Sequence, residues 1–294
     1  MTITVFAMTQ KGYAVVDFIT QHFPRLLHSV VIGRDPALEN DYSAQLQALC
    51  ETRGISWSPR EACGALSSEY ALAVSWRWLL DVPDNRLIVL HDSPLPRYRG
   101  FAPMVNALIN GERELGVTAL FGVSEYDRGD VICQSTTTID YPMTIQEAIE
   151  HNMQNYLAVV RRVCDLLERG QALPRMRQVE NDATYSIWRD ADDYRIDWSQ
   201  SASAIRRFVD AVGAPYAGAQ TNDGEQCVFV DAVEEVPDVR CELRDCGKVI
   251  FLSQGRPVVI CGSGLVRVTA ARVQAEDGSY ASYLPLQRFR VRFR

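Results

Sequence analysis

Short apolar runs alternate with longer amphipathic stretches over the first third of the chain. Residues 2–8, 29–32, 70–74 and 86–90 have the length and the β-branched content of buried strands. Between the first two, Val15, Val16, Phe18 and Ile19 share one face of a helix predicted over residues 13–22. Strand, helix, strand in this order builds a doubly wound, Rossmann-like α/β sheet with parallel strands and right-handed crossovers. The first strand-to-helix turn reads Met8-Thr9-Gln10-Lys11-Gly12 and lacks the glycine spacing of a dinucleotide loop, so no nicotinamide cofactor is expected. Pro103 and Gly111 bracket a short helix. A long helix is predicted from a capping box at Thr144 and Glu147, with Ile145, Ile149, Met153, Tyr156, Val160, Val163 and Leu167 at helical spacing up to Gly170.

The pattern then breaks. Residues 173–193 are irregular and charged and read as a linker, which divides the chain into a domain over 1–188 and a second over 195–294. A helix over 201–212 and short apolar runs at 228–233, 249–252, 257–260 and 265–270 make the second domain a smaller β-rich unit, barrel-like and of OB type.

A length of 294 residues agrees with two domains, and 47% hydrophobic with 23% charged residues excludes disorder. The net charge of −7 provides no general attraction for nucleic acid or anionic lipid. Residues 195–294 carry 13 basic and 12 acidic side chains, which makes a nucleic acid partner improbable. Of 30 basic residues only Lys11 and Lys248 are lysine. The eight cysteines form no C-x-x-C pair, so no metal site is expected. Without an 18-residue apolar run or a signal segment, a cytoplasmic protein with no membrane partner is expected.

One stretch stands out chemically: His91-Asp92-Ser93-Pro94-Leu95-Pro96-Arg97-Tyr98-Arg99-Gly100, followed by Ile109-Asn110-Gly111-Glu112, Gly116-Val117-Thr118 and Asp127-Arg128-Gly129-Asp130. A histidine just past a strand end sits where open α/β sheets keep their sites, and a carboxylate at the next strand end can orient it. By position alone, His91 is equally an ordinary loop histidine and Asp127 a turn former.

The run resembles the 10-formyltetrahydrofolate-dependent formyltransferases, whose histidine precedes a Ser-Leu-Leu-Pro-x-Tyr-Arg-Gly loop. Weaker similarity extends to residues 73–80 and to 194–198 with 214–219. The resemblance implies an N-formyltransferase in which His91 and Asp127 are catalytic and 10-formyltetrahydrofolate is the formyl donor. It places Ser75, Trp76, Arg77, Trp78, Leu79, Phe121, Gly122, Val123, Tyr126 and Asp127 around the folate, although Trp76 and Trp78 also fit plain core packing. It places Arg97, Tyr98, Arg99 and Gly100 at the acceptor, with Arg77, Arg97 and Arg99 as a diphosphate clamp or as solvated arginines. Trp198 and Tyr216 read as core anchors, or with Tyr194 as stacking partners for a base.

The family's catalytic asparagine falls on Val89, which can donate nothing to a developing oxyanion. Asn106, a backbone N–H near Ser93 and protonated His91 are the candidate substitutes. The charge balance favours a small acceptor, and with the second domain the resemblance implies a nucleotide-linked amino sugar. A methionyl-tRNA formyltransferase, a folate-binding protein without turnover and a formyl hydrolase are the alternatives. A homodimer is left open.

Overall fold

A computed structural model describes residues 1–36, 38 and 40–294. The residues cluster into two compact units, the first comprising Met1–Met104, Arg113–Ile139 and Ala148–Ile187, the second Val105–Glu112, Asp140–Glu147 and Trp188–Arg294. The division is therefore not a single cut: two short segments of the N-terminal half belong to the second unit.

In the first unit β1 (Ile3–Ala7) is wholly buried and leads into α1 (Thr9–His22), β2 (Leu27–Ile32), α2 (Ser43–Arg53) and β3 (Trp57–Pro59). Then come β4 (Tyr70–Val74), β5 (Leu87–His91), the two-residue β6 (Arg99–Gly100) and α3 (Pro103–Asn110), which from Val105 onward belongs to the second unit. They are followed by β7 (Glu114–Phe121), β8 (Val131–Thr138), α4 (Ile145–Glu168) and β9 (Tyr185–Ser186). The main sheet has the order β3-β2-β1-β4-β5-β7-β8, and the chain reverses its direction of winding beside β1, between β2 and β4. That reversal leaves a crevice at the strand ends.

The expected all-parallel sheet is corrected at one edge. β7 runs antiparallel to β5, pairing Ile88 with Phe121 and His91 with Thr118, and β8 runs antiparallel to β7. The link from β5 to β7 has 22 residues against the 19 that make the parallel β1–β2 crossover, so chain length does not dictate the reversal. The α2 helix had no clear sequence signal because only Leu46 and Cys50 on it are buried. The capping box at the start of α4 forms as expected, Thr144 N donating to Glu147 Oε2 at 2.8 Å and Glu147 N to Thr144 Oγ1 at 3.3 Å. Residues 173–187, expected to be linker, belong to the first unit: Met176 pairs with Val131, and β9 lies parallel to β6. Among the described residues no helix is long and apolar enough to cross a membrane.

The second unit contains α5 (Ala202–Val212), whose N-cap Ser201 accepts from Ala204 N at 3.1 Å. Its six strands, β10 (Ala219–Asn222), β11 (Cys227–Val236), β12 (Val249–Ser253), β13 (Arg256–Ile260), β14 (Leu265–Gln274) and β15 (Tyr280–Ser282), form an antiparallel sheet with β11 and β14 at its centre. Trp198 is a buried anchor, its indole donating to Thr221 Oγ1 at 2.9 Å and stacking on Phe293, so it is not a surface for a base.

On α5, burial pushes the Asp210 carboxyl up to about 6, with Arg206 opposing and Glu147 adding to the rise. A carboxyl whose folded value exceeds its unfolded value near 3.8 favours folding fully below that value and loses the contribution as pH rises through about 6. Asp210→Asn is therefore expected to stabilise the protein by about 1–2 kcal/mol at pH 7.5 and by nothing measurable at pH 4. Urea unfolding of the full chain at the two pH values checks it.

Candidate active site

At the end of β5 the side chain of His91 is buried, and a cavity of about 560 Å³ opens over it. Nε2 of His91 lies 2.8 Å from the Tyr98 carbonyl. A carbonyl only accepts, so Nε2 carries the proton and Nδ1 of the neutral ring keeps a lone pair. Nδ1 is 3.4 Å from Asp127 Oδ1. The carboxylate is fixed from its other side, where Gly100 N donates to Oδ2 at 2.8 Å. Histidine and aspartate thus share one proton site between them, in a place largely closed to water.

Asp127 does not reach His91 from a neighbouring parallel strand end, because β7 points the other way. The loop after Phe121 carries it back across the face of the sheet. Gly129 makes the return possible, since a Cβ there would meet the Phe121 carbonyl oxygen at 1.7 Å. Gly100, at φ +101, also lies against a carbonyl, that of Ser186, whose oxygen a Cβ would meet at 2.5 Å. Ser75, Ala102 and Asp127 line the cavity with positive φ, and Tyr98, whose carbonyl holds His91, also has positive φ. Such conformations cost roughly 1–3 kcal/mol each and gather where a site has to be held in shape.

The expected folate residues Ser75, Trp76, Arg77, Trp78 and Leu79, and Phe121, Gly122, Val123, Tyr126 and Asp127, all line this one cavity. Trp76 meets Phe6 and Trp78 edge-on, with ring centroids 5.2 and 5.0 Å away. Trp76 thus packs in the core and also borders the cavity. Val89 also borders the cavity, and it packs against Leu95, Leu120 and Val131.

The acceptor group is dispersed. Gly100 lines the cavity and Tyr98 supports His91, but Arg97 is exposed outside the lining. Arg99 is completely buried, donating to Gln178 Oε1 from Nε at 3.0 Å and Nη2 at 2.8 Å, and to Glu180 from Nη1 at 3.0 Å and Nη2 at 2.9 Å. Its donors are spent inside the protein, so it cannot clamp a phosphate. Arg77 lines the cavity and is ion-paired with Asp35. The proposed arginine clamp is therefore not assembled. Asn106 accepts from Arg189 at 2.8 Å and does not line the cavity.

Two groups had no sequence signal. Gln178 relays the hold of Arg99 onto the turn that carries Asp127, its Nε2 donating to the carbonyls of Asp127 at 2.7 Å and Gly129 at 2.8 Å. Hydrogen bonds from Arg99 and then Arg128 hold the Glu180 carboxyl down to about 2, so it stays ionised beneath them. The second group is Asp92, which accepts from Lys11 Nζ at 2.5 Å and from the hydroxyl of Tyr156. Burial, the largest influence on Asp92, pushes its carboxyl up, but Lys11, Tyr156 and His91 together hold it below the usual carboxylate range. Among the described residues no group of three or more metal-ligating side chains is present.

The formyl transferase family profile matches residues 66–158, and the profile of the formyl transferase C-terminal domain matches residues 189–283. The chain belongs to the formyltransferase family, and it is an enzyme of that family. Its fold is similar to that of WlaRD, a sugar 3N-formyl transferase solved with dTDP and 5-N-formyl-THF, at a TM-score of 0.71 and 13% identity over 91% of this chain and 97% of the other. The N-formyltransferase from Helicobacter canadensis, solved with folinic acid and dTDP-3-aminofucose, matches at 0.71 and 14% over 91% and 99%. HypX from Aquifex aeolicus matches at 0.63 and 18%, with 96% of this chain covering 46% of that one.

Proposed function

We propose that the enzyme transfers a formyl group from 10-formyltetrahydrofolate to the primary amine of a small acceptor, an amino sugar carried on a nucleotide. The observation that carries this reading is the buried His91–Asp127 pair, with its shared proton site facing a cavity large enough for a planar bicyclic ring. Trp76, Trp78, Leu87 and Phe121 offer apolar cover for the pterin, and the loop after Phe121 offers backbone groups. The folate supplies the formyl carbon.

The rest is the work of the protein. An amine that attacks must give up a proton, and Nδ1 of His91 is the acceptor turned toward the cavity, with Asp127 stabilising the imidazolium that results. The imidazolium then provides the positive charge that the formyl oxygen requires as the new C–N bond forms. Val89 cannot assist. The same proton can afterwards pass to the departing nitrogen, so that no net charge is left in the site.

The likeness to sugar formyltransferases solved with dTDP supports a nucleotide-linked acceptor. The near-neutral balance of residues 195–294 argues against tRNA. The test is formylation of dTDP- and UDP-linked amino sugars and of initiator methionyl-tRNA at two salt concentrations, with products identified by mass spectrometry. Formylated nucleotide sugar is the expected result. Formylated tRNA with no sugar product would overturn the acceptor class, and no product from any amine would overturn the function.

Val89→Asn is expected to raise the rate less than tenfold. Asparagine would be set among Leu95, Leu120 and Val131, where an unsatisfied amide costs about 1–3 kcal/mol. A steady-state assay of the variant checks it, and a large gain would show that the missing donor limits the natural site.

A further inference from the structure

His91 and Asp92 are consecutive, and in a strand consecutive side chains point to opposite faces. Both nevertheless line the same cavity, because it opens over the end of β5. The Asp92 side chain is 20% exposed there, and its two known partners, Lys11 on Oδ2 and Tyr156 on Oδ1, leave further acceptor capacity on a group with about four lone-pair sites. The arrangement is costly to build. It removes Lys11 to 12% exposure, and Tyr156 lies wholly in the core with its hydroxyl directed at the carboxylate. It also uses a lysine in a chain that otherwise employs arginine almost everywhere, and a compact ammonium can press on one oxygen without the fork that a guanidinium would bring.

We propose that Asp92, clamped by Lys11 and Tyr156, receives the acceptor's amino group as its ammonium form and selects basic amines over hydroxyl-bearing counterparts. This rests on the amine-formylation reading above and adds to it the group that recognises the amine: the ammonium held on Asp92 releases one proton to solvent before attack, and the proton that His91 takes and passes on is the second, lost as the C–N bond forms. Asp92 and His91 line one cavity, so an ammonium held on Asp92 shares that space with the imidazole. Lys11 and Tyr156 fix the orientation of the carboxylate. A charge-assisted contact of this kind is worth about tenfold to a hundredfold in affinity.

The experiment is calorimetric binding of a dTDP-linked 3-amino sugar and of its 3-hydroxy counterpart to wild type, Asp92→Asn and Tyr156→Phe. Wild type is expected to prefer the amine at least about tenfold, Asp92→Asn to bind the two sugars within about twofold, and Tyr156→Phe to fall between. Affinity for 5-formyltetrahydrofolate should stay within about twofold in both variants. A structural disturbance would weaken both sugars alike, so their ratio isolates the charge. If Asp92→Asn does not fold, Tyr156→Phe decides alone, since it keeps the ring and removes one hydroxyl. A wild-type preference that either folded variant retains in full overturns the role of Asp92 and leaves formyl transfer standing. Binding of neither sugar by wild type overturns the role of Asp92 and the dTDP-linked acceptor, while the formylation assay alone decides the transfer chemistry.

Discussion

Asp127→Asn and His91→Ala are each expected to lower kcat/KM for formyl transfer at least about a hundredfold. Asparagine is the better replacement at position 127, because φ there is +56 and asparagine tolerates the left-handed region that alanine resists. The variant keeps an oxygen for Gly100 N and loses the charge that stabilises the His91 imidazolium. Affinity for 5-formyltetrahydrofolate should change little, which separates the loss of proton transfer from loss of the folate site. The double variant should be about as slow as either single one, since the two residues handle one proton. Near wild-type turnover in either would remove that residue from the chemistry; circular dichroism confirms the fold.

Removal of Arg99 is expected to be the most damaging change away from the reacting atoms. Arg99→Met leaves Gln178 without its two donors and empties the space of a completely buried guanidinium, at about 2–4 kcal/mol of stability. Its effect on rate follows from Gln178, which then holds the Asp127 and Gly129 carbonyls with nothing behind it. A displacement of about 1 Å at a catalytic group can cost a hundredfold. Gln178→Met tests the same chain with less loss of packing and should give a lower kcat with KM for the folate unchanged. Denaturant melts and steady-state kinetics measure the two effects separately, and an Arg99→Met protein with full activity would mean that the turn holds itself.

The regular elements were legible where one face is consistently apolar. β4 ends where its pattern ends, and α4 begins at its capping box. The reversed direction of β7 was not legible, because Gly116-Val117-Thr118 reads as strand whichever way it points. His91 and Asp127 were legible through a local motif, and the structure brings them together by a route other than the expected one. The groups that support them were hidden for a physical reason. Lys11 and Asp92 are 81 positions apart and Arg99 and Gln178 79 apart, and no periodicity links residues that meet only after folding. Arg99 shows the limit most clearly: an arginine in a reactive loop suggests a bound anion, and only its burial reveals that its anions belong to the protein.

The segment after α4 has a consequence for how such enzymes can be recombined. Met176 pairs with Val131, Gln178 holds the turn that carries Asp127, and Thr184 and Ser186 accept from Arg99 N and Phe101 N. A genetic crossover at the end of the long helix, the obvious seam in the sequence, would exchange these residues together with the C-terminal part of the chain and separate the reactive loop from its matched support. Keeping the reactive loop with its support therefore requires any junction to fall beyond Ser186, and an exchange there must also replace Val105–Glu112 and Asp140–Glu147, which belong to the second unit.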